Sequence, residues 1–174
     1  MLGSMTDSTQ PGERFRDPRT WEEEAVDGPH IWRTLGYRRV DWQPGSTTIE
    51  WDATEDYCFP AARGPVVHGG LVTALLDSAM GGACWSVLDH DQAFLTADLR
   101  VEFVRVSRPG TLRARGTVVR RTRRVVFCAA EMYDTQGQLL AGSRCTQVVL
   151  PNSGPFGRHA SGHDGGMPPE DARG

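Results

Sequence analysis

An acidic residue lies in the middle of an apolar segment that opens with two glycines. The segment runs from Val66 to Ser86 and contains Asp77 as its single carboxylate. Burying an ionised carboxylate is costly unless the group is paired or used in chemistry. If the segment is a helix that begins near Gly69 and Gly70, its first backbone N–H groups lack intrahelical partners and carry partial positive charge. Such groups bind anions and can stabilise a developing oxyanion.

The spacing between the glycines and Asp77 determines whether both could act on one substrate group. Asp77 follows Gly69 by eight residues, or ~12 Å along a helix axis at ~1.5 Å per residue. Helical side chains lean toward the N-terminus, so the carboxylate covers part of this gap. A carbonyl could lie with its oxygen at the helix start and its carbon near Asp77, or near a water that Asp77 holds. The alternative is that Asp77 caps or pairs with an arginine, and that Gly69-Gly70 is only a tight turn.

Strand-like patterns surround this segment and predict an α+β fold. A helix that is apolar almost all round, here Leu71–Val87, must be covered on most sides, which a curled antiparallel sheet of five to six strands would achieve. Gly81, Gly82 and Ala83 would let strand backbones approach the helix closely. The predicted strands are Tyr37–Trp42, Thr47–Thr54, Ala93–Val104, Thr111–Arg120, Val125–Asp134 and Gln138–Leu150, with turns at Pro44-Gly45, Pro109-Gly110 and 135–137.

The strand after the helix has the clearest alternation of the set. Ala97, Leu99, Val101 and Phe103 alternate with the charged residues Asp98, Arg100 and Glu102. This period of two predicts that Ala97 lies on the same face of the strand as Leu99, with the charged residues on the other face.

At 174 residues the chain is expected to form one domain, residues 19–150, between two polar ends. Residues 1–18 predict a flexible arm whose first four residues are an expression scar, and Thr20–Trp32 predicts a short helix. The Gly- and Pro-rich residues 151–174 predict a disordered tail. His159 and His163 lie four apart there, but the glycines around them argue against a helix, so no metal site is predicted.

Composition and charge limit the classes of binding partner that the sequence predicts. The formal net charge of −3 gives no support for nucleic-acid binding, and neither a signal peptide nor a membrane-length apolar run is present, which predicts a cytoplasmic protein. The four cysteines form no C-x-x-C pair and predict buried free thiols.

Nine of the 19 basic residues, all arginine, lie between Arg100 and Arg124. This pattern reflects coding bias or a phosphate-bearing ligand, since guanidinium groups match phosphate oxygens.

The motif HGGLVTALLDSAMG, which begins at His68, resembles the signature of hotdog-fold acyl-CoA thioesterases. The likeness is to the PaaI-like branch of the 4-hydroxybenzoyl-CoA thioesterase superfamily. It continues through LTADLRVEFVRVSRPG and YDTQGQLLAGS, and covers roughly Leu35 to Leu150. The resemblance implies the hotdog fold, hydrolysis of acyl-CoA thioesters to free acid and CoA, and no cofactor, because CoA belongs to the substrate. It also implies a homodimer with sites at the interface, with dimers that pair into tetramers.

The resemblance also assigns roles to residues. It implies that the Gly69 N–H polarises the thioester carbonyl and that Asp77 is the general base or the nucleophile. It implies that the Thr96 hydroxyl positions the water from the neighbouring subunit, and that His68 orients the loop or bonds near the carbonyl. Many relatives carry Asn six residues before this histidine, where the present chain has Ala62.

Substrate-binding candidates follow from the same likeness. It places Gly70 at the substrate and the CoA nucleotide near four arginines, namely Arg105, Arg108, Arg123 and Arg124. Trp51, Trp85 and Phe59 could line an acyl pocket or be core residues. Aromatic, short-chain and long-chain acyl-CoAs and carrier-protein thioesters all stay open as substrates.

Two other functions remain open from the sequence. A non-catalytic acyl-CoA-binding hotdog protein is favoured by Ala62, which removes a usual polar group. A hotdog enoyl-CoA hydratase or dehydratase would need a paired acid and histidine, and no such pair precedes His68.

Overall fold

A six-stranded antiparallel sheet packs around one long helix in the computed structural model, which describes residues 30–151. The order of the strands in the sheet is β1-β2-β6-β7-β8-β5, and a separate short pair joins β3 to β4. The elements are, in chain order, α1 (His30–Leu35), β1 (Tyr37–Gln43), β2 (Ser46–Ala53), a 3₁₀ turn (Glu55–Tyr57), β3 (Cys58–Phe59), β4 (Val66–Val67), α2 (Gly69–Trp85), β5 (Gln92–Phe103), β6 (Gly110–Arg121), β7 (Val125–Tyr133) and β8 (Leu139–Pro151).

The expected α+β fold is confirmed, with one helix against an antiparallel sheet and strand bounds close to those predicted. Gly45 and Gly137 adopt positive φ in the turns between strands, which glycine tolerates without strain. The sequence did not predict the short β3–β4 pair that precedes α2. The arm at 1–18, most of the helix expected at Thr20–Trp32, the tail beyond 151 and the pair His159 and His163 lie outside the described residues.

The backbone of helix α2 packs directly against the backbone of the sheet. A Cβ on Gly116 of β6 would lie 2.2 Å from the carbonyl oxygen of Ala79, so only glycine fits there. The Thr47 hydroxyl donates to the same oxygen at 2.8 Å. Gly82 permits this approach from the helix side, since its Cβ would lie 2.8 Å from Thr47 Oγ1. The predicted close approach is therefore confirmed at Gly82, whereas Gly81 faces the Phe94 ring. The closest contact involves Gly116, which the sequence did not predict.

A β-bulge at Ala97 changes which residues of β5 face the helix. Thr96 pairs with Gln147 of β8 while Asp98 pairs with Thr146, so Ala97 is the extra residue. Cross-strand partners share a face, and the bulge therefore places Thr96 on the same face as Leu99. The prediction that Ala97 shares a face with Leu99 is wrong, because strict alternation cannot anticipate an inserted residue.

The cysteines have the burial expected of structural thiols. All four are free, and Cys84, Cys128 and Cys145 are buried. Cys128 and Cys145 are direct cross-strand partners on the face of the sheet that covers α2. Within residues 30–151, no helix combines the length and the apolar character needed to cross a membrane.

Gly116→Ala is expected to lower the free energy of unfolding by about 1–3 kcal/mol, because the new methyl group would push the sheet away from Ala79. Gly142→Ala is the matched control in β8, since its Cβ would lie 4.0 Å from the nearest atom. We expect the control to change the unfolding free energy by less than about 0.5 kcal/mol in urea denaturation. Equal losses in both variants would contradict the backbone-contact explanation.

Candidate active site

The start of α2 leaves one backbone N–H group available. His68 is the N-cap residue, and its Nδ1 accepts a hydrogen bond from the Gly70 N–H at 2.9 Å. The N–H groups of Leu71 and Val72 both donate to the His68 carbonyl. Among the described residues, nothing accepts from the Gly69 N–H. The geometry thus separates the two glycines: Gly70 is engaged by the cap, and Gly69 is free to bind an oxygen.

The Gly69 backbone lines an apolar cleft of about 450 Å³. The Phe103 ring closes one side, because a Cβ on Gly69 would lie 3.2 Å from its edge. The Phe59 ring is 57% exposed and packs on the His68 imidazole with centroids 4.9 Å apart. The cleft is lined by Phe59, Val66, Val67, Gly69, Val72, Phe103, Val104, Arg105, Val106 and Ser107.

Asp77 is half-buried and has no cationic partner in the part of the chain that the structure describes. The Thr96 hydroxyl donates to its Oδ1 at 3.0 Å. Burial raises the pKa of Asp77 above its ordinary value, and the hydrogen bond from Thr96 offsets part of this rise by favouring the ionised form. The alternative in which Asp77 caps or pairs with an arginine is therefore wrong for residues 30–151.

Thr96 reaches Asp77 within one chain. The expectation that its hydroxyl comes from a neighbouring subunit is corrected by this contact. The bulge at Ala97 is the cause, because it turns Thr96 toward α2. Roles for Thr96 and Asp77 remain predictions, but the structure brings the two side chains together.

Gln147 also belongs to this cluster, although the sequence reading did not single it out. Its side chain is completely buried, and its Oε1 lies 3.0 Å from Thr96 Oγ1. A usable signal was present in β8, where Ala141, Ser143, Cys145, Gln147 and Val149 alternate on one face. A long amide among small and apolar inward residues indicates a polar contact inside the core.

Among the described residues, the cleft at Gly69 does not extend to Asp77. The two groups are separated by ~12 Å along the helix axis. Within residues 30–151 this cleft therefore does not bring one carbonyl against both groups, and their joint use stays a prediction. Any reaction that uses both groups needs a second source for one of them.

The four candidate arginines form two separate pairs. Arg105 lines the Gly69 cleft and donates to the Leu139 carbonyl, while Arg108 donates to the carbonyls of Gly64 and Pro65 and so holds the loop before α2. The other pair, Arg123 and Arg124, is exposed at the turn between β6 and β7. The twelve residues of β6 put the two pairs at opposite ends of a strand ~40 Å long.

Of the aromatic residues proposed for an acyl pocket, only Phe59 lines the cleft. Trp51 is completely buried and packs against Tyr37 and Tyr57, so it is a core residue. Trp85 is also buried at the end of α2. Ala62 lies in an exposed turn and offers no side-chain polar group.

Comparison with known proteins finds a family match to the middle of the chain. Residues 64–141, which contain α2 and strands β5 to β7, match the model of the thioesterase superfamily. A Saccharolobus solfataricus protein named as an esterase is 27% identical over 138 residues, which cover 78% of this chain and 95% of the relative.

Solved structures of the thioesterase superfamily have the same fold. A thioesterase family protein from Silicibacter pomeroyi has a TM-score of 0.69 at 23% identity, with 78% of this chain and 99% of that one covered. The E. coli PaaI protein from the phenylacetic acid degradation operon has a TM-score of 0.68 at 19% identity, covering 76% and 93%. The hotdog fold is thereby confirmed, and the match of residues 64–141 to the thioesterase superfamily supports thioester hydrolysis as the general activity.

His68→Ala is expected to lower the unfolding free energy by about 1 kcal/mol, because the Gly70 N–H loses its acceptor. His68→Asn keeps a capping oxygen but loses the ring contact with Phe59. Urea denaturation should therefore show most of the loss in His68→Ala alone. If both variants are equally destabilised, the ring contact and not the cap holds the helix start.

Proposed function

We propose that this protein hydrolyses acyl-CoA thioesters to a free acid and CoA, with Asp77 as general base and the Gly69 N–H as oxyanion donor. The observation that carries the proposal is the environment of Asp77. Its carboxylate is half-buried, lacks a cationic partner among residues 30–151 and is oriented by the Thr96 hydroxyl. A carboxylate that serves stability alone would be expected to have a charged partner.

The proposed reaction follows from the properties of these groups. Asp77 takes a proton from a water molecule, and the water oxygen attacks the thioester carbonyl carbon. The carbonyl oxygen becomes an oxyanion that accepts from the Gly69 N–H, aided by the positive end of α2. The tetrahedral intermediate then expels the CoA thiolate, which takes up the proton, and leaves the carboxylic acid. Burial favours this role, because a raised pKa makes Asp77 a stronger base. The nucleophilic alternative would instead form an anhydride on Asp77.

Two subunits are needed to bring the proposed groups together. A two-fold pair with antiparallel α2 helices would place Gly69 of one chain opposite Asp77 of the other, which spans the ~12 Å separation. Strand β5 is at the edge of the sheet, with its outer backbone groups unpaired. Exposed apolar side chains follow this edge and the loop after it, namely Leu95, Phe103, Val104 and Val106. We therefore propose a homodimer joined along β5, which can pair into a tetramer.

The cleft at Gly69 is our proposed binding site for the thioester arm. Arg105 is the best placed of the four arginines for a CoA phosphate, because it lines this cleft. Arg108 is committed to the loop carbonyls and is better described as a structural residue. The buried free thiols Cys84, Cys128 and Cys145 agree with a reducing compartment, so we place the reaction in the cytoplasm.

A non-catalytic acyl-CoA-binding protein is the second candidate. Ala62 favours it, because the exposed turn at this position supplies no polar side chain to the site. Tight binding of acyl-CoAs by the wild-type protein, with no thiol release across a panel of chain lengths and aromatic acyl groups, would establish this candidate in place of the hydrolase.

Asp77→Asn is expected to lower kcat by about 10²–10⁴-fold, since it removes the base while an amide oxygen can still accept from Thr96. Asp98→Asn is the control, because this exposed residue lies on the opposite face of β5. Thiol release from a panel of acyl-CoAs measures both variants. Wild-type turnover by Asp77→Asn on the best substrate would refute the proposed mechanism.

Gly69→Pro is expected to lower kcat by about 10²–10³-fold, because proline removes the proposed oxyanion donor. Proline is tolerated at the first helical position, and the backbone angles of His68 (φ −59°, ψ 125°) suit a following proline. Gly69→Ala is the matched control, since it adds a Cβ near Phe103 but keeps the N–H. A loss in Gly69→Ala as large as in Gly69→Pro would assign the effect to crowding.

Co-expression of Asp77→Asn and Gly69→Pro chains tests whether the site is shared. Random mixing gives half heterodimers, each with one site built from an intact Gly69 and an intact Asp77, so activity should recover to about a quarter of wild type. Each variant alone should stay inactive. No recovery in purified heterodimers would show that both groups act within one chain.

A further inference from the structure

Gln147 is the most deeply buried polar side chain near Asp77, and the proposed reaction does not yet use it. Its side chain is completely buried on the inward face of β8. Its strand partners at this position are Thr96 on one side and Val126 on the other. An apolar side chain of similar size would avoid the cost of burying an amide. The hydrogen bonds of the Gln147 amide should therefore explain why an amide is present.

The contacts of Gln147 link Thr96 to a buried thiol. Its Oε1 lies 3.0 Å from Thr96 Oγ1, and its Nε2 donates to Cys145 Sγ at 3.2 Å. Cys145 is also the direct cross-strand partner of the free thiol Cys128. The sulfur therefore accepts from the amide nitrogen and directs the amide oxygen toward Thr96.

The Thr96 hydroxyl has one proton and two acceptors. Asp77 Oδ1 and Gln147 Oε1 each lie 3.0 Å from Thr96 Oγ1. When Asp77 is protonated, it can donate to Thr96, which then donates to Gln147, and every acceptor is satisfied. When Asp77 is ionised, the Thr96 proton must turn to Asp77, and the buried Gln147 oxygen loses its partner.

We propose that Gln147 is a positioning residue that competes with Asp77 for the Thr96 proton and so keeps Asp77 a strong base. This role rests on the proposed function of Asp77 as general base. The physical effect is that ionising Asp77 leaves a completely buried amide oxygen unpaired, which makes the carboxylate hold its proton more tightly.

Within residues 30–151, no other titratable group offers the same control. The contact with Cys145 lowers the pKa of the Cys128 thiol, but the contact with Cys84 and burial raise it overall. The contact with Cys128 and burial raise the pKa of the Cys145 thiol. The inward residues of β2 and β5 are not titratable. On β6, Arg121 shares the inward face with Val126, and its guanidinium donates to the Val87 carbonyl and to Asp89 beyond the end of α2. Tyr37 of β1 donates to the Leu71 carbonyl, more than one helical turn from Asp77. On α2 itself, His68 caps the helix start and Cys84 contacts Cys128.

Gln147→Met tests the proposal, because methionine keeps the volume and removes the amide oxygen. The acid limb of the pH profile of kcat/KM should move to lower pH by about one unit, since Thr96 then donates to Asp77 alone. The plateau at high pH should fall only severalfold, as expected for a weaker base. Gln147→Leu is a second variant with the same expected shift. An unchanged limb, or a shift to higher pH, would overturn the proposal.

A double-mutant cycle with Thr96→Val separates coupling from general disturbance. Thr96→Val should move the acid limb to higher pH, because Asp77 loses its only hydrogen bond among the described residues. Adding Gln147→Met to Thr96→Val should then cause no further shift, since the competition needs the hydroxyl. A second shift of the same size in the double variant would show that Gln147 acts without Thr96, which would overturn the proposal.

The ionisation of Asp77 can also be followed without turnover. NMR titration of labelled aspartate carboxyl carbons, with the Asp77 signal identified by its loss in Asp77→Asn, should show the same decrease of the pKa in Gln147→Met. If Asp77→Asn retains full activity while this titration shifts, the proposed function fails and the role of Gln147 in the protonation of Asp77 stands. If Asp77→Asn is inactive and the titration does not shift, only the role of Gln147 fails.

Discussion

The whole arrangement depends on the backbone contact between α2 and the sheet at Ala79. Gly116 removes every side-chain atom from the strand at this point, and the Thr47 hydroxyl binds the Ala79 carbonyl oxygen. The helix is thereby fixed in depth and rotation against β2 and β6. Asp77 precedes Ala79 by two residues, which turns it by ~200° around the axis. It therefore points away from the tightest contact and toward the open edge formed by β5.

Two carboxylates in this chain have opposite pKa shifts because their neighbours differ. Glu50 binds the guanidinium groups of Arg38 and Arg113, and these hydrogen bonds hold its pKa below the ordinary value. Asp77 has only the Thr96 hydroxyl, and burial raises its pKa. Although arginine is the only long basic side chain in the sequence and is abundant on the sheet, none reaches Asp77 within residues 30–151. A proton acceptor needs this isolation, because a bound guanidinium would weaken it as a base.

The features that the sequence predicted well are those encoded by local pattern. Turn glycines such as Gly45 and Gly137, alternating strand residues and an apolar helix opened by Gly69 each have a direct physical signal. The contacts that complete the candidate site have no such signal. The side of β5 that carries Thr96 depends on pairing with β8, which only the folded sheet determines. Gln147 matters because of a distance across two strands, and a strand pattern by itself does not show where a long amide ends.

The bulge at Ala97 makes the candidate site depend on strand pairing as well as on residue type. The side chains of β5 alternate between the two faces of the sheet, and the extra residue Ala97 interrupts this alternation. Without the bulge, Ala97 would pair with Gln147, which would rotate Leu95 toward Asp77 and Thr96 toward solvent. A relative of this protein could thus keep threonine, aspartate and both glycines in its sequence and still lack the hydroxyl at the carboxylate. Among such relatives, the pairing register of β5 against β8 is therefore as informative as the motif itself.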